Sequence, residues 1–457
     1  HSRWVPLSML ICRRGVEGFQ FLCGANPGQW ESIPGSLPGF QLGYVAWNNA
    51  KQGYEMRIGA LDTTRDDQYL DGTLHFEFSL AFPFVREKIL PLQPCSGLLR
   101  YDRPFDRRWP ESDDMDTLNA AGYSLLRLHN DGNAYNNGIF WRSCSYPPYP
   151  PDEMTKMERT LQLAKERKIN VVPYFSLHEF HPDSPGFAEH AEEWGRIAAA
   201  GDRIIPSCCA HGYFGYQMCL RSGWFRKRRD TIDEVLGHHR FNGVYYDWCE
   251  GIECMNPGHG AAHWDICELL EMLAWSHKRI GDEGALYIHL TGNPNLIAGN
   301  MSSLVITEEC GGSIVKPEMF SPHAHFMNIV PRQVNCMLRG NASESDYRRY
   351  ALCALLHHAT VSSCRKTYTD FYAEYRTELK QVSRFSRYTA PGEQLCGTDH
   401  PQCGMSVYWN EIGETMSFLV NLSEKPERCH WHYNIEGLEN EGVTEIPPLA
   451  LKILHEH

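Results

Sequence analysis

The stretch that decides the fold is Phe241-Asn-Gly-Val-Tyr-Tyr-Asp247-Trp-Cys-Glu-Gly251. Its centre, 244–247, is a short run of apolar and aromatic residues that ends on an aspartate, and it predicts a buried strand. A long helical segment, 262–280, follows it. A buried strand followed by a helix is the unit from which α/β folds are built.

This unit recurs along the middle of the chain. Eight alternations of strand-like and helical segments over about 270 residues match the size of one (β/α)8 barrel. A doubly wound sheet is disfavoured because no glycine-rich phosphate loop follows an early strand. The predicted barrel strands are 124–128, 171–175, 216–220, 244–247, 286–290, 304–307, 334–338 and 359–362.

The two flanks have a different pattern. Before residue 115, frequent Gly and Pro and alternating runs such as 54–58 predict antiparallel strands. Strand patterns return after Pro391, in a region too small to be stable alone. We therefore predict an α/β protein with an N-terminal β-sandwich (1–114), a (β/α)8 TIM barrel (115–388) and a small C-terminal β-sandwich (389–457) packed on the barrel.

Composition narrows the function classes. The net charge is −13, and the one basic cluster, 226–229, is expected to be a solvated helix face, so we predict no nucleic-acid partner. No apolar run is long enough to span a membrane, and no signal peptide is visible. Aromatic residues make up 12% of the chain, which suits stacking on sugar rings. Compartment and oligomeric state stay open.

The seventeen cysteines show no metal-binding spacing. Cys208, Cys209, His211 and Cys219 come closest, but they lack the tight paired spacing of structural zinc sites. The sequence therefore predicts buried thiols, no metal and no cofactor.

Polar residues end six of the predicted strands. Barrel enzymes place their catalytic groups at the carboxyl ends of the strands, and an unpaired buried carboxylate is costly, so this set predicts an active site. In strand order the candidates are His129 and Asp131; His178 and Glu179; Arg221; Asp247 with Trp248 and Glu250; His289 and Asn293; and Glu308 with Glu309.

Asp247 and the Glu308–Glu309 pair are the strongest candidates. They end the fourth and sixth strands, which contribute to the same layer of the barrel interior. Two facing carboxyl groups are the apparatus of glycoside hydrolysis, in which one protonates the leaving oxygen and the other attacks or activates water. If strand alternation persists, only one of the two glutamates points inward.

The stretch 241–251 resembles the fourth-strand segment of TIM-barrel glycoside hydrolases of the alpha-galactosidase-like kind, or of related uncharacterised bacterial glycosidase-like families. The resemblance implies that Asp247 is the nucleophile of a retaining enzyme and that Glu308 or Glu309 is the acid/base. One position departs from the family pattern, because Tyr245 stands where a lysine is expected. The other candidates would bind the hydroxyls of a carbohydrate substrate.

Other functions remain open. A metal-dependent hydrolase on the same barrel would use His129, His178, His289 and Asp247 as ligands. A carbohydrate-binding barrel without activity, a polysaccharide lyase, and a hexosaminidase that uses the substrate's own acetamido group are further alternatives.

Overall fold

The computed structural model of the chain describes residues 8–13, 17–23, 43–48, 50, 53–58, 78–81, 89–99, 109–129, 151–182, 184–198, 201, 215–247, 249–260, 263–290, 296–311, 333–339, 342–389, 391 and 395–456.

The described N-terminal strands are antiparallel, as predicted. The strands are β1 (Ser8–Arg13), β2 (Glu17–Cys23), β3 (Gly43–Asn48), β4 (Gly53–Ile58) and β5 (Phe78–Ala81). One sheet has the order β1-β2-β5, and β3 pairs with β4 in a hairpin. The packing of these sheets into a sandwich stays a prediction.

The centre of the molecule is a sheet of eight parallel strands that forms the TIM barrel. Its strands follow one another in chain order, as a (β/α)8 fold requires. They are β6 (Cys95–Leu99), β7 (Leu125–His129), β8 (Asn170–Ser176), β11 (Gly243–Asp247), β14 (Ala285–His289), β15 (Leu304–Gly311), β16 (Gln333–Arg339) and β17 (Thr360–Val361).

Helices alternate with these strands and cover the barrel with their apolar faces. In the second of them, Met157, Leu161 and Ala164 recur at helical spacing and are buried. The described α-helices are α1 (Ser112–Ala120), α2 (Pro151–Glu166), α3 (Phe187–Trp194), α4 (Trp224–His238), α5 (Ile266–Ile280), α6 (Leu296–Met301), α7 (Glu344–Leu356), α8 (Lys366–Glu374) and α9 (Arg376–Gln381).

Side-chain hydrogen bonds connect the two ends of the sheet. The Asn335 amide donates to Thr360 Oγ1 over 2.5 Å, and Thr360 Oγ1 donates to the carbonyl of Gln93, just before β6, over 3.3 Å. Cys95 Sγ lies 2.6 Å from Asn335 Oδ1. The first and last strands therefore meet, and the sheet curves into a barrel.

Two predicted strand positions were wrong. The first barrel strand is 95–99, which lies before the expected barrel boundary at 115, so 124–128 belongs to the second strand. The segment 216–220 is not a barrel strand, because its residues pair antiparallel with the loop after β8 and the chain then turns into α4. Only Tyr216–Gln217 (β10) is a strand, and it pairs antiparallel with Glu179–Phe180 (β9). Apart from the start of the barrel, the domain limits stay predictions.

A small hairpin lies in the loop between β11 and α5. It pairs Glu253–Cys254 (β12) with His263–Trp264 (β13). Together with β9 and β10, it forms a group of loops after the third and fourth barrel strands, at the carboxyl ends of the strands.

The C-terminal region is a two-sheet β-structure packed on the barrel, as predicted. The strands are β18 (Arg387–Thr389), β19 (Cys396–Thr398), β20 (Cys403–Trp409), β21 (Thr415–Asn421), β22 (Glu427–Ile435), β23 (Leu438–Ile446) and β24 (Ala450–Glu456). They form two sheets with the orders β18-β20-β21-β24 and β19-β22-β23.

Strands β20 and β21 are buried on both faces. Tyr408 and Phe418 belong to the main core that they share with the barrel helices, whereas Val407 and Leu419 pack in a separate core between the two C-terminal sheets. This double coverage explains why alternation is weak in these strands. Among the described helices, none is long and apolar enough to cross a membrane.

Candidate active site at the carboxyl end of the barrel

Asp247 is the last residue of β11, and other side chains fix both of its carboxylate oxygens. The Tyr174 hydroxyl, from β8, donates a hydrogen bond to Oδ2. His289, at the end of β14, places Nδ1 2.6 Å from Oδ1. The Asp247 side chain is 19% exposed, so it is held in place but open to solvent. Hydrogen bonds to a charged acceptor are strong, and this pair stabilises and orients the carboxylate.

The contact fixes the tautomer of His289. A carboxylate only accepts hydrogen bonds, so Nδ1 carries the proton that points at Asp247. The Tyr245 hydroxyl lies 3.2 Å from the same nitrogen. His289 and Asp247 are therefore two sequence-predicted site residues that the fold brings together.

A layer of aromatic side chains lies below Asp247 in the barrel. The ring of Tyr245 lies 5.2 Å from that of Tyr174 and 4.9 Å from that of Tyr287. Burial raises the pKa of Tyr245 and of Tyr287 well above the usual range, so both phenols stay neutral. They form a rigid, uncharged floor for the site.

A buried cation crosses this layer. The Arg127 guanidinium, from β7, lies 4.6 Å above the Tyr245 ring and 5.8 Å from the Tyr287 ring, and Arg127 is only 3% exposed. Its Nε and Nη1 have no hydrogen-bond partner among the described residues. Cation–π contacts and the charge of Asp247 compensate for its burial. The barrel interior below Asp247 therefore holds a buried positive charge from β7.

Sequence reasoning missed Tyr174 and Arg127. Both lie inside strands, whereas the predicted candidates all lie at or just after strand ends. Arg127 gave a usable signal, because an arginine between two leucines within a buried strand needs a partner inside the barrel. Tyr174 gave none, because an aromatic residue in a strand is ordinarily core.

Glu308 and Glu309 lie in β15, the sixth barrel strand, in its second half. Ile306 pairs with Asn335, and the register with β16 then shifts before Glu308. Because of this irregularity, simple alternation along the strand does not choose between the two glutamates. The structure describes their backbone only.

His178 and Glu179 lie in the loop group described above, after β8. His178 is fully buried; its Nδ1 lies 3.2 Å from the Met218 carbonyl and its Nε2 2.8 Å from the Glu250 carbonyl. Glu179 is 2% exposed and pairs with Gln217 in the two-stranded antiparallel sheet of β9 and β10. These contacts give His178 and Glu179 roles in loop packing, and their roles in substrate binding stay predictions.

The remaining candidates make other contacts or have side chains that the structure does not describe. Arg221 Nε donates to Glu268 Oε1, on α5, over 2.7 Å. Glu250 is partly buried and contributes its carbonyl to His178. The backbone of His129 ends β7, but its side chain lies outside the described residues, as do Asp131, Trp248 and Asn293.

Neither a family model nor a curated protein sequence matches the chain. Solved structures do. A noncanonic maltogenic alpha-amylase from Thermotoga neapolitana shares 9% identity at a TM-score of 0.52, covering 80% of this chain and 98% of its own. Eubacterium rectale Amy13B shares 8% identity at a TM-score of 0.52, with 81% and 97% covered. An alpha-amylase from Lactobacillus plantarum shares 9% identity at a TM-score of 0.51, with 80% and 99% covered.

The fold is that of the TIM-barrel glycoside hydrolases. At this low identity, the likeness shows the fold of the barrel and its flanking β-structure, and it transfers no residue roles. The narrower resemblance to the alpha-galactosidase-like kind stays a prediction. A barrel of this class holds its active site at the carboxyl ends of its strands, the face on which Asp247 and His289 meet.

Proposed function

We propose that the chain is a glycoside hydrolase that cleaves an O-glycosidic bond, with Asp247 as the nucleophile and Glu308 or Glu309 as the acid/base. The observation that carries this proposal is the Asp247 carboxylate at the end of the fourth barrel strand, held by Tyr174 and His289 and still partly open. The shared fold supports it, because alpha-amylases hydrolyse glycosides on such a barrel.

In this mechanism Asp247 attacks the anomeric carbon, while the glutamic acid protonates the leaving oxygen. Water, deprotonated by the same glutamate, then releases the sugar from the glycosyl-enzyme, so the configuration is retained. The hydrogen bonds to both Asp247 oxygens fix the direction of attack, because a positioned nucleophile reacts as if at a very high local concentration.

A metal-dependent reaction at Asp247 receives less support. Of its four proposed ligands, His178 has both ring nitrogens against backbone carbonyls, and His289 directs Nδ1 to Asp247 itself. The cluster of metal-ligating side chains found among the described residues lies elsewhere.

The test is a screen of aryl glycosides with the wild type and with Glu308→Gln and Glu309→Gln. One of the two variants should lose activity most strongly on glycosides with poor leaving groups, because only those need the proton. Azide should restore turnover in that variant by attacking the glycosyl-enzyme. If both variants hydrolyse every substrate at the wild-type rate, whatever the leaving group, neither glutamate is the acid/base. If no glycoside is hydrolysed even by the wild type, a carbohydrate-binding barrel is favoured.

A further inference from the structure

The loops after the third and fourth barrel strands bring together three metal-ligating side chains that are far apart in the sequence. Cys219 lies between β10 and α4, Cys254 lies in β12, and His263 lies in β13. All three are buried, and one ligand atom from each lies within 4.8 Å of the other two. The sequence predicted no metal because the cysteines are not closely spaced along the chain. The fold nevertheless brings Cys219, Cys254 and His263 next to one another.

The β12–β13 hairpin sets the relative positions of two of these groups. Cys254 and His263 are direct cross-strand partners, so their side chains project from the same face of the hairpin. Cys219 approaches this face from the neighbouring loop, and its Sγ lies 3.2 Å from His263 Nε2.

These distances suit a zinc ion. Zinc bonds of about 2.3 Å to sulfur and about 2.0 Å to nitrogen, at tetrahedral angles, put neighbouring ligand atoms about 3.3–3.8 Å apart, with about 3.5 Å for a sulfur and a nitrogen. The sulfur-to-nitrogen contact of Cys219 and His263 is a few tenths of an ångström shorter, so a small outward movement would admit the ion.

His259 lies beside Cys254, outside the group of three whose ligand atoms are all within 4.8 Å of one another, and is the candidate for the fourth ligand. It lies in the turn of the same hairpin, and its Nδ1 is 3.4 Å from Cys254 Sγ. Its other nitrogen, Nε2, lies 2.7 Å from the Glu193 carbonyl. Zinc-bound histidines ordinarily donate their second N–H in this way, which fixes the ring and the tautomer. The spacing of His259 and His263 also falls within the range of structural zinc sites.

Hydrogen bonds hold the surrounding loops in position. The buried Asp265 carboxylate accepts the backbone N–H of Leu220 over 2.9 Å and that of Ile252 over 2.7 Å. One carboxylate thus ties the segment that carries Cys219 to the segment that carries Cys254. A site made of two loops is precise only if such contacts hold the loops together.

We infer that Cys219, Cys254 and His263, with His259, form a structural zinc site. A Zn²⁺ ion with two thiolates and two neutral imidazoles has no net charge, which makes its burial tolerable. A Cys219–Cys254 disulfide is the rival, but both cysteines are free thiols in the structure. The site joins the loops that border Asp247, and it does not depend on the proposed glycosidase reaction.

The experiment is elemental analysis of the purified full chain, prepared with a reductant and without added chelator. We expect about one zinc per chain in the wild type and less than about a tenth of that in Cys254→Ser and His263→Ala. The matched control is Cys353→Ala, since Cys353 is equally buried but lies in α7, and its zinc content should equal that of the wild type. In a chelator competition, His259→Ala should weaken zinc binding at least about tenfold.

A second measurement needs no variant. Titration of the wild-type thiols with a mercurial reagent should release the zinc to a metal-sensitive dye, and Co²⁺ in its place should give a thiolate charge-transfer band. Wild-type protein with no bound metal above the Cys254→Ser level would overturn the inference. So would a Cys219–Cys254 disulfide in metal-free protein purified without reductant, detected by peptide mass spectrometry.

Discussion

Replacing Tyr174 with phenylalanine removes one hydroxyl from the candidate site and leaves the ring in place. This hydroxyl donates to Asp247 Oδ2, and the ring packs against Tyr245 at a centroid distance of 5.2 Å. The residue is 1% exposed, so water does not readily replace the lost donor. Of the two hydrogen bonds that hold the Asp247 carboxylate, the variant loses the one from Tyr174 and keeps the one from His289.

The expected size of the effect follows from the charge on the acceptor. A hydrogen bond to a charged group contributes about 1.5–3 kcal/mol. Each 1.36 kcal/mol of lost transition-state stabilisation costs a factor of ten in rate. If the bond is needed to position Asp247 for attack, kcat/KM should fall by about 10- to 150-fold.

The assay is kcat/KM on the best aryl glycoside, measured beside the thermal unfolding midpoint. Tyr246→Phe is the matched control, because the Tyr246 hydroxyl contacts Ser276 Oγ on α5, outside the barrel interior. It should cost about 1 kcal/mol of stability and leave kcat/KM unchanged. A Tyr174→Phe enzyme within twofold of the wild type would refute the role given to this hydrogen bond.

Two further predictions concern folding. In Gly243→Ala the new Cβ would lie 2.0 Å from the Ala285 carbonyl oxygen, and the backbone φ is +149°. The free energy of unfolding, measured by denaturant titration, should therefore fall by at least about 2 kcal/mol. Gly237→Ala is the control: it has open space around it and should stabilise helix α4 by about 0.5–1 kcal/mol. The Ser343 hydroxyl holds the pKa of Asp346 below its usual range, so Asp346 stabilises the fold above its unfolded pKa of about 3.9 and this stability disappears as pH falls through the folded value. The unfolding midpoint of Asp346→Ala should therefore lie below that of the wild type at pH 7 and approach it below about pH 4; a gap independent of pH would contradict the assignment.

Much of the barrel could be predicted from periodicity, because each buried parallel strand is a short apolar run before an amphipathic helix. The strand 95–99 was missed because it lies in a region rich in turn residues, and local pattern does not show which sheet a strand joins. The segment 216–220 has the composition of a strand, but tertiary contacts of the loop give it another role.

The sequence could predict a site residue only where that residue is recognisable by its own type and position in the chain. Asp247 and His289 were found because polar groups at strand ends are unusual and informative. Arg127 and Tyr174 contribute through contacts across the barrel, which depend on the layer each strand residue occupies. The Cys219, Cys254 and His263 cluster was invisible for the same reason, since its members meet only after two loops fold against each other.

The most direct test of the central claim is the activity of Asp247→Asn on the best aryl glycoside. The variant keeps the size of the side chain and its contacts near Tyr174 and His289, but it cannot form the glycosyl-enzyme. We predict a fall in kcat of at least about 10⁴-fold with the unfolding midpoint close to that of the wild type. Hydrolysis by Asp247→Asn at the wild-type rate would contradict the assignment of Asp247 as the nucleophile.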